Sequence, residues 1–408
     1  MPNQPRIPLA QPQHGDQPGT WAHKTIAERF ARTAGRIFDE NDFSPAITAR
    51  LQALIADIPE AEIRPIQDPG APDAAAWRQY AAPYLGQNWH QPPWWFTEHY
   101  FYRRILEASR YFQAGDGSRV DPFSYQKQMG LEVSRGAIRQ LTDLTYPGLP
   151  GGPEQVKWLE TLLYLDLWGN QADLSLWPAE GGEKPDHTDM EQALSHILVN
   201  DAPRVSAYLL AARPHARIDF LIDNAGFELV SDLALSDVIL NSEIAARVCL
   251  HVKPYPTYVS DAMENDVLAA IEFLRAETHA NTRAVGQRLQ QAWEQDRLQI
   301  KTNWFWTSPL DGWGMPAELK EDLSQSHLVF SKGDAHYRRL LGDRHWPYTT
   351  SFSDILAYYP APVVALRTLK SELVAGLEPG QAEAAGGQDP QWLVDWRWGM
   401  VQFSDPSG

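Results

Sequence analysis

The sequence contains little that would cross-link the chain, hold it in a membrane or attract it to nucleic acid. Its 408 residues include a single cysteine, Cys249, so an internal disulfide cannot form. Cys249 lies in the apolar run Ala246–Leu250, where a buried core thiol is expected. All apolar runs fall short of the ~18 consecutive residues that a membrane span needs. We expect a cytoplasmic protein that does not bind membranes.

An excess of positive charge is also absent. The chain has 35 basic and 52 acidic residues, and its formal net charge at pH 7 is −17. Such a charge repels a phosphate backbone, so nucleic acid is not expected to be the main partner. A P-loop, the three spaced glycines of a dinucleotide-binding turn and a Gly-x-Ser-x-Gly elbow are missing as well. The sequence therefore gives little support for an enzyme that uses a nucleotide cofactor or a serine nucleophile.

The distribution of proline, glycine and apolar residues divides the chain into three segments. Residues 1–19 are rich in Pro, Gln and Gly and are predicted to be disordered. Residues 20–150 are predicted to form a helical domain, because their apolar residues recur at helical spacing. The segment Tyr146–Pro153 can continue neither a helix nor a strand, and it marks the boundary to a second domain, residues 151–408.

In the second domain, short apolar runs alternate with helical patterns. This alternation predicts an α/β fold with a mostly parallel sheet flanked by helices. The expected strands are 197–200, 218–222, 247–252, 328–330 and 363–366, with further strand-like runs at 174–177, 300–306 and 396–403. Residues 379–387 are predicted to form a loop.

Polar residues that follow these strands are candidates for one site, because ligands bind at the carboxyl edge of a parallel sheet. The run 218–222 ends on Asp223 and Asn224, and Asp261 follows the strand 247–252 after an extended loop. Two carboxylates and an amide oxygen form a ligand set that suits Mg²⁺ or Mn²⁺. The structural alternative is a turn at Asp223-Asn224 and a helix N-cap at Asp261.

Basic residues follow the last strands of an otherwise acidic protein. These are Lys332, Arg338, Arg367 and Lys370. Beside a metal ion they suit a phosphate group, which Arg binds bidentately and Lys binds as a point charge. Surface ion pairing is the alternative for each of them taken singly.

Taken together and in this order, four motifs resemble those of the metal-dependent damage-control phosphatases. The motifs are Asp223-Asn224-Ala225-Gly226-Phe227-Glu228-Leu229, Lys253-Pro254-Tyr255-Pro256 leading to Ser260-Asp261-Ala262, Lys332-Gly333-Asp334 leading to Tyr337-Arg338, and Arg367-Thr368-Leu369-Lys370. The last is similar to the Arg-Thr-x-Lys motif of subfamily III, the acidic-residue-methyltransferase-like subfamily. Further similarity at Trp168-Gly169-Asn170, Asp173-Leu174-Ser175 and Glu98–Ile105 extends the resemblance to roughly residues 20–405.

The resemblance implies a helical N-terminal part packed on a three-layer α/β/α domain, and hydrolysis of small phosphomonoesters. Sugar phosphates such as fructose 1-phosphate or fructose 6-phosphate are among the implied substrates. Mn²⁺ is the first candidate cofactor, with Mg²⁺, Co²⁺ and Ni²⁺ as alternatives. By position, Asp223, Asn224 and Asp261 match the metal ligands and catalytic residues, and the predicted substrate contacts are Asp223, Asn224, Lys332, Asp334, His336, Tyr337, Arg338, Arg367 and Lys370.

Some features of the site stay open at this point. The family often has Asn in place of His336 and a basic residue in place of Gln171, so a sugar preference is not implied. Glu98 and Arg103, from the helical domain, are candidates to close the pocket, with Glu98 as a substrate contact, and a solvated helix face is the alternative for both. Attack by water and formation of a phospho-aspartate at Asp223 are both compatible with the sequence, and so is any oligomeric state.

Two other functions also stay open. Methyl transfer from S-adenosylmethionine to glutamate side chains of proteins is attributed to the same subfamily, although the glycine-rich turn of a nucleoside pocket is not found. A non-catalytic sugar-phosphate sensor would keep the basic residues and would not need the metal. Phosphate release with and without a chelator distinguishes all three functions.

Overall fold

A computed structural model describes residues 3–169, 193–212 and 215–406. The expected strand at 174–177 and the motif residues Asn170, Gln171 and Asp173–Ser175 lie outside the described residues. Within those ranges, no helix has the length and apolar character that crossing a bilayer requires.

The first part of the chain folds as helices around an aromatic core. These are Trp21–Lys24 (α1), a π-helical turn at Thr25–Arg29, Phe30–Glu40 (α2), Pro45–Asp57 (α3), Ala74–Ala81 (α4), Trp94–Ala108 (α5), Ser124–Val133 (α6) and Arg135–Thr145 (α7). Phe30 stacks on Phe101 with 4.0 Å between ring centroids, and Trp77, Trp89 and Trp94 are buried in the same core. Each large apolar side chain buried in this way contributes about 1.5–3 kcal/mol. The predicted helical N-terminal part is confirmed.

A seven-stranded sheet organises the rest of the described chain. Its strands are Ile197–Asn200 (β1), Arg217–Leu221 (β2), Arg247–Val252 (β3), Leu298–Thr302 (β4), Leu328–Lys332 (β5), Val363–Thr368 (β6) and Gly399–Ser404 (β7). They lie in the order β1-β7-β6-β5-β2-β3-β4. Strands β6, β5, β2, β3 and β4 are parallel to one another, and β7 is antiparallel to β6. The predicted mostly parallel sheet is therefore confirmed.

Helices cover both faces of the sheet. The remaining helices are Gln155–Leu167 (α8), Ala202–Leu210 (α9), Phe227–Asn241 (α10), Glu264–Ala276 (α11), Ala280–Glu294 (α12), Ala317–Leu323 (α13), Gly333–Leu341 (α14), Phe352–Ile355 (α15) and Gln381–Gln388 (α16). Phe220 of β2 belongs to the core that includes α7 to α12, and its neighbour Leu221 belongs to the core that includes α13 to α16. Because successive strand residues point to opposite faces, the fold has three layers, α/β/α, as predicted.

Two local predictions in this domain are wrong. The run 300–306 is a strand only as far as Thr302, because the Asn303 side chain accepts a hydrogen bond from Phe305 N and starts a 3₁₀ turn at Trp304–Thr307. Residues 379–387 contain most of α16 instead of a loop. The Ala, Gln and Glu residues of that segment favour a helix and outweigh its glycines.

Residues 3–19, predicted to be disordered, lie along the α/β/α domain. Gln13 N donates to Asp343 O at 3.0 Å, and His345 N donates to Gln11 O at 2.8 Å. Arg344 donates to Ala10 O at 2.7 Å. These hydrogen bonds satisfy backbone groups of a segment that forms no helix of its own. Composition alone does not reveal such contacts with distant residues.

The domain boundary at residue 150 stays a prediction, and the packing of α6 and α7 bears on it. Ile138 and Leu141 of α7 belong to the same core as the sheet. Lys127 of α6 forms an ion pair with Asp266 of α11 at 2.9 Å. The aromatic core of the helical part extends along the chain to Phe123. By these contacts α7 belongs with the sheet, whereas α6 links the two parts, since Gln126 also donates to Glu40 of α2 at 2.6 Å.

Candidate active site

The predicted strand ends meet where the order of the strands reverses. β2 and β5 are neighbours, but β2 is followed by β3 on one side and β5 is followed by β6 on the other. Such a reversal opens a crevice at the carboxyl ends of the two strands. Asp223 lies just beyond β2, and Gly333 directly follows β5. Gly333 has a φ of +75°, and a Cβ at this position would overlap the Asp223 carboxylate, so the close approach requires glycine.

Backbone pairing brings Asp261 next to Asp223. Asn224 and Asp261 form an antiparallel bridge, in which Ala225 N donates to Ser260 O at 2.7 Å and Ala262 N donates to Asp223 O at 2.8 Å. Helix α11 begins only at Glu264. The structural alternative for Asp261, a helix N-cap, is therefore wrong, and its carboxylate is available to the site.

The carboxylates of Asp223 and Asp261 are buried close together, and the ion pair of Asp261 with Lys253 balances only one of their two charges. The two residues are 4% and 2% exposed, and Asp223 Oδ1 has no hydrogen-bond partner among the described residues. Burial, and then repulsion from Asp261, raise the pKa of Asp223 well above its usual value. Burial also raises the pKa of Asp261. A hard divalent cation stabilises such a pair, so these residues fit a bound metal ion.

Three polar neighbours fix the Asn224 side chain. Its amide nitrogen donates to Asp223 Oδ2 and to Glu228 Oε2, both at 2.8 Å. Ser260 Oγ donates to its amide oxygen at 2.5 Å. Glu228 was not among the predicted site residues. Its place in the first turn of the helix that follows β2 is the signal that could have identified it.

A buried lysine, Lys253, lies behind Asp261. Its Nζ is 3.1 Å from Asp261 Oδ2 and donates to Ile222 O at 2.7 Å. His336 Nε2 lies 2.8 Å from the same ammonium, and burial, then Lys253, lower the pKa of His336 well below its usual value. His336 is therefore neutral and supports Lys253 instead of lining the cleft. Lys253 directly follows β3, so the rule that selected Asp223 could have identified it too.

A cleft of about 340 Å³ opens over these residues. Of the predicted site residues, it is lined by Asp223, Asn224, Asp261, Asp334, Arg338, Lys370 and Glu98. Trp21, Arg29 and Arg36 line it as well, so the helical part of the chain forms its roof. Arg103 does not reach the cleft, because it is buried between Asp68 and Asp73, at 3.0 Å and 2.8 Å.

Arg338 reaches the cleft already paired. Asp343 accepts from its Nε and Nη2 at 2.8 Å and 3.1 Å, and Glu98 accepts from its Nη1. Trp94 and Trp95 flank the guanidinium. Although burial opposes it, the two carboxylates raise the pKa of Arg338 well above its usual value. Arg338 therefore links α14 to α5, and its charge is balanced within the protein.

The Arg367–Lys370 motif has a buried part and a part that faces the cleft. Arg367 is fully buried, and its Nε donates to Asp334 Oδ1 at 2.8 Å. Its guanidinium lies 4.2 Å from the centre of the Tyr337 ring. Asp334 Oδ1 also accepts from Lys370 N at 3.2 Å. Arg367, Tyr337 and Asp334 thus hold the loop in place, and of the motif's residues Lys370 lines the cleft.

Lys332, predicted as a substrate contact, does not line the cleft. Its Nζ is buried 2.7 Å from Asp166 of α8 and 3.0 Å from Asp232 of α10. Although burial opposes it, these carboxylates raise the pKa of Lys332. Lys332 therefore links helices α8 and α10 to the end of β5.

A second cluster of titratable groups lies within the sheet, at Asp219 of β2 and His251 of β3, and includes Asp322 of α13. The ligand atoms of Asp219, His251 and Asp322 fall within 4.8 Å of one another, which makes the cluster a possible metal site. Arg217 donates to Asp219 at 2.8 Å and to Asp322 at 2.9 Å. Lys301 also donates to Asp322, at 2.9 Å. These carboxylates already have cationic partners, in contrast to Asp223.

Known proteins are similar to this chain over most of its length. A family model described as the damage-control phosphatase ARMT1-like domain matches residues 24–385. Damage-control phosphatase ARMT1 of Mus musculus is 36% identical over 334 residues, which cover 78% of this chain and 76% of that protein. The protein of the same name from Danio rerio is 34% identical over 361 residues, covering 82% and 80%.

Among solved structures, a DUF89 family protein from Pyrococcus horikoshii aligns with a TM-score of 0.45 and 15% identity, over 92% of this chain and 96% of that chain. The range matched by the family model contains most of the helical part and strands β1 to β6, and Asp223, Asp261 and Lys370 lie within it. The chain therefore belongs to the damage-control phosphatase ARMT1-like family.

Proposed function

We propose that the protein hydrolyses small phosphomonoesters in this cleft, with a divalent metal ion held by Asp223, Asn224 and Asp261. The proposal rests on the buried, incompletely balanced carboxylates of Asp223 and Asp261, which lie in the same cleft as Lys370. When bound, the ion would polarise a phosphoryl oxygen and offset its charge. Mn²⁺ is the first candidate, and sugar phosphates such as fructose 1-phosphate or fructose 6-phosphate are the proposed substrates.

The chain's own groups supply the remaining positive charge. Lys370 can hold a phosphate oxygen as a point charge, and the N-terminus of α14, which begins at Gly333 beside Asp223, favours an anion. Asp334 keeps the Lys370 loop in position. Arg338 contributes less than its charge implies, because carboxylates of the protein already neutralise it.

Phosphate release from fructose 1-phosphate tests the proposal. We expect release that depends on Mn²⁺, stops with EDTA and returns when Mn²⁺ is added. Asp223→Asn keeps the shape of the side chain and removes its charge, so activity should fall about 100-fold or more. The fold should survive, because the substitution removes a buried charge. Asp296→Asn is the matched control, since that side chain is 72% exposed, and it should keep wild-type activity.

Activity of Asp223→Asn within a few-fold of the wild type would rule out this site. The same assay separates the functions that the sequence leaves open. A sensor would bind fructose 1-phosphate in the presence of EDTA and release no phosphate. A methyltransferase would transfer the methyl group of S-adenosylmethionine to a carboxylate without releasing phosphate.

A further inference from the structure

The outer part of the cleft contains a tryptophan, Trp396, with an unfavourable backbone conformation. Its φ is +72°, in the left-handed region, where a residue with a Cβ costs about 1 kcal/mol or more and glycine costs little. About half of the residue, 49%, is exposed. The residue therefore has exposed surface that a ligand in the cleft can contact. Strained residues of this kind concentrate at functional sites.

The Trp396 ring lies beside the cation proposed to bind phosphate. Both Trp396 and Lys370 line the cleft, and Lys370 Nζ is 5.6 Å from the centre of the Trp396 ring. Backbone hydrogen bonds join the two loops, since Trp396 N donates to Leu369 O at 3.1 Å and Leu369 N donates to Trp398 O at 2.8 Å. A phosphate held by Lys370 would place the organic part of the substrate within reach of the indole.

Trp21 gives the cleft a second aromatic surface, in its roof. Trp21 N donates to Glu372 Oε2 at 3.0 Å, so the roof is attached two residues beyond Lys370. The Arg29 guanidinium lies 4.6 Å from the centre of the Trp21 ring. The outer cleft therefore combines two aromatic surfaces with basic groups, and the inner cleft holds the carboxylates. Flat aromatic surfaces bind the apolar faces of ring compounds.

We propose that Trp396 is a specificity-determining residue, which selects phosphomonoesters whose organic part is a furanose or pyranose ring by stacking that ring on its indole. This inference rests on the proposed function and adds a reason for substrate choice. An open-chain phosphomonoester such as glycerol 3-phosphate has no ring face and gains nothing from the contact. The contact takes no part in bond breaking, so its loss should raise KM and leave kcat nearly unchanged.

Steady-state kinetics of Trp396→Gly and Trp396→Phe with fructose 1-phosphate and glycerol 3-phosphate test the inference. Glycine relieves the strain at this φ while the half-buried ring is lost, so the two effects on stability oppose each other and the variant should fold. For Trp396→Gly, kcat/KM with fructose 1-phosphate should fall about tenfold or more, mainly through KM. With glycerol 3-phosphate it should stay within about twofold. Trp396→Phe should recover most of the loss.

Equal losses on both substrates would overturn the inference, because the ring would then act through Lys370 or the fold. Unchanged kinetics on fructose 1-phosphate would overturn it as well. Trp293→Ala, at a partly exposed tryptophan that does not line the cleft, is the matched control and should alter neither substrate. A wild-type protein without metal-dependent phosphatase activity would overturn the proposed function instead. Calorimetric titration of the wild type and of Trp396→Gly with fructose 1-phosphate would then test the ring contact separately from catalysis. Weaker binding to Trp396→Gly would support the contact, and equal binding would overturn it.

Discussion

Lys332 is the cation for two buried carboxylates, those of Asp166 and Asp232. Lys332→Met would leave both carboxylates without it, and deleting one partner of a buried ion pair is costly. We expect the free energy of unfolding to fall by about 3–5 kcal/mol. Urea unfolding at pH 7 measures the change. Adding Asp232→Asn to Lys332→Met should recover part of the loss, because one of the unbalanced charges is then gone.

Lys370→Met is the matched control, since it makes the same chemical change in the cleft. Lys370 is not fully buried and its Nζ contacts the Trp396 ring, so the substitution should change stability little. It should lower phosphatase activity by about tenfold or more if Lys370 binds phosphate. A Lys332→Met protein with wild-type stability and greatly reduced activity would contradict the roles given to the two lysines.

The junction between β5 and α14 depends on Gly333. An alanine would have to adopt a φ of +75°, and its Cβ would overlap the Asp223 carboxylate. We expect Gly333→Ala to lower the free energy of unfolding by about 1–3 kcal/mol and to weaken Mn²⁺ binding, because Asp223 must move. Urea unfolding and calorimetric titration with Mn²⁺ measure the two effects.

At Gly35, the same substitution of glycine by alanine should have the opposite effect on the free energy of unfolding. Gly35 lies in the middle of α2, and a Cβ there meets no atom of the described chain within 4 Å. Alanine should therefore raise the free energy of unfolding by about 0.5–1 kcal/mol and leave Mn²⁺ binding unchanged. Wild-type Mn²⁺ affinity in Gly333→Ala would show that the close approach to Asp223 does not shape the site.

Elements in the middle of the sheet could be predicted more closely than those at its edge. β2, β3 and β5 have neighbours on both sides and helices on both faces, so they are nearly continuous apolar runs with clear limits. The edge strand β4 is followed by an aromatic run that has the same composition as a strand. The hydrogen bond from Phe305 N to the Asn303 side chain ends the strand pattern there, and such a side-chain contact is not visible in hydrophobic periodicity.

At the scale of the whole molecule, the sequence predicts at which edge of the sheet the candidate site lies. It predicts only in part which residues line the cleft. Parallel strands bring their carboxyl ends to one edge, so Asp223, Asp261 and Lys370 could be grouped from the sequence. Whether a residue faces the cleft or a helix layer depends on buried partners far away in the sequence. Lys332 and Arg367 were grouped with Lys370 for this reason, although their partners hold them inside the protein.

The network around Asp322 connects the sheet to α13 and makes the stability of the whole molecule depend on pH. Although burial opposes it, hydrogen bonds from Arg217 and Lys301 lower the pKa of Asp322 to about 2. A carboxylate whose pKa falls on folding stabilises the native state above the pKa of the unfolded chain, near 4, and loses this contribution as the pH falls toward 2. Asp322→Asn should therefore destabilise the protein at pH 7 and less so at pH 3.

Urea midpoints of the wild type and Asp322→Asn at pH 7, 5, 4 and 3 measure this difference. Glu318→Gln, at an exposed position of the same helix, is the control and should change the urea midpoint little. A difference that stays constant or grows as the pH falls would contradict the ion-pair role of Asp322.

If Asp219, His251 and Asp322 held a metal ion instead, Asp322→Asn would lower the amount of Mn²⁺ bound per chain. We expect that amount to be unchanged, because Arg217 already binds both carboxylates.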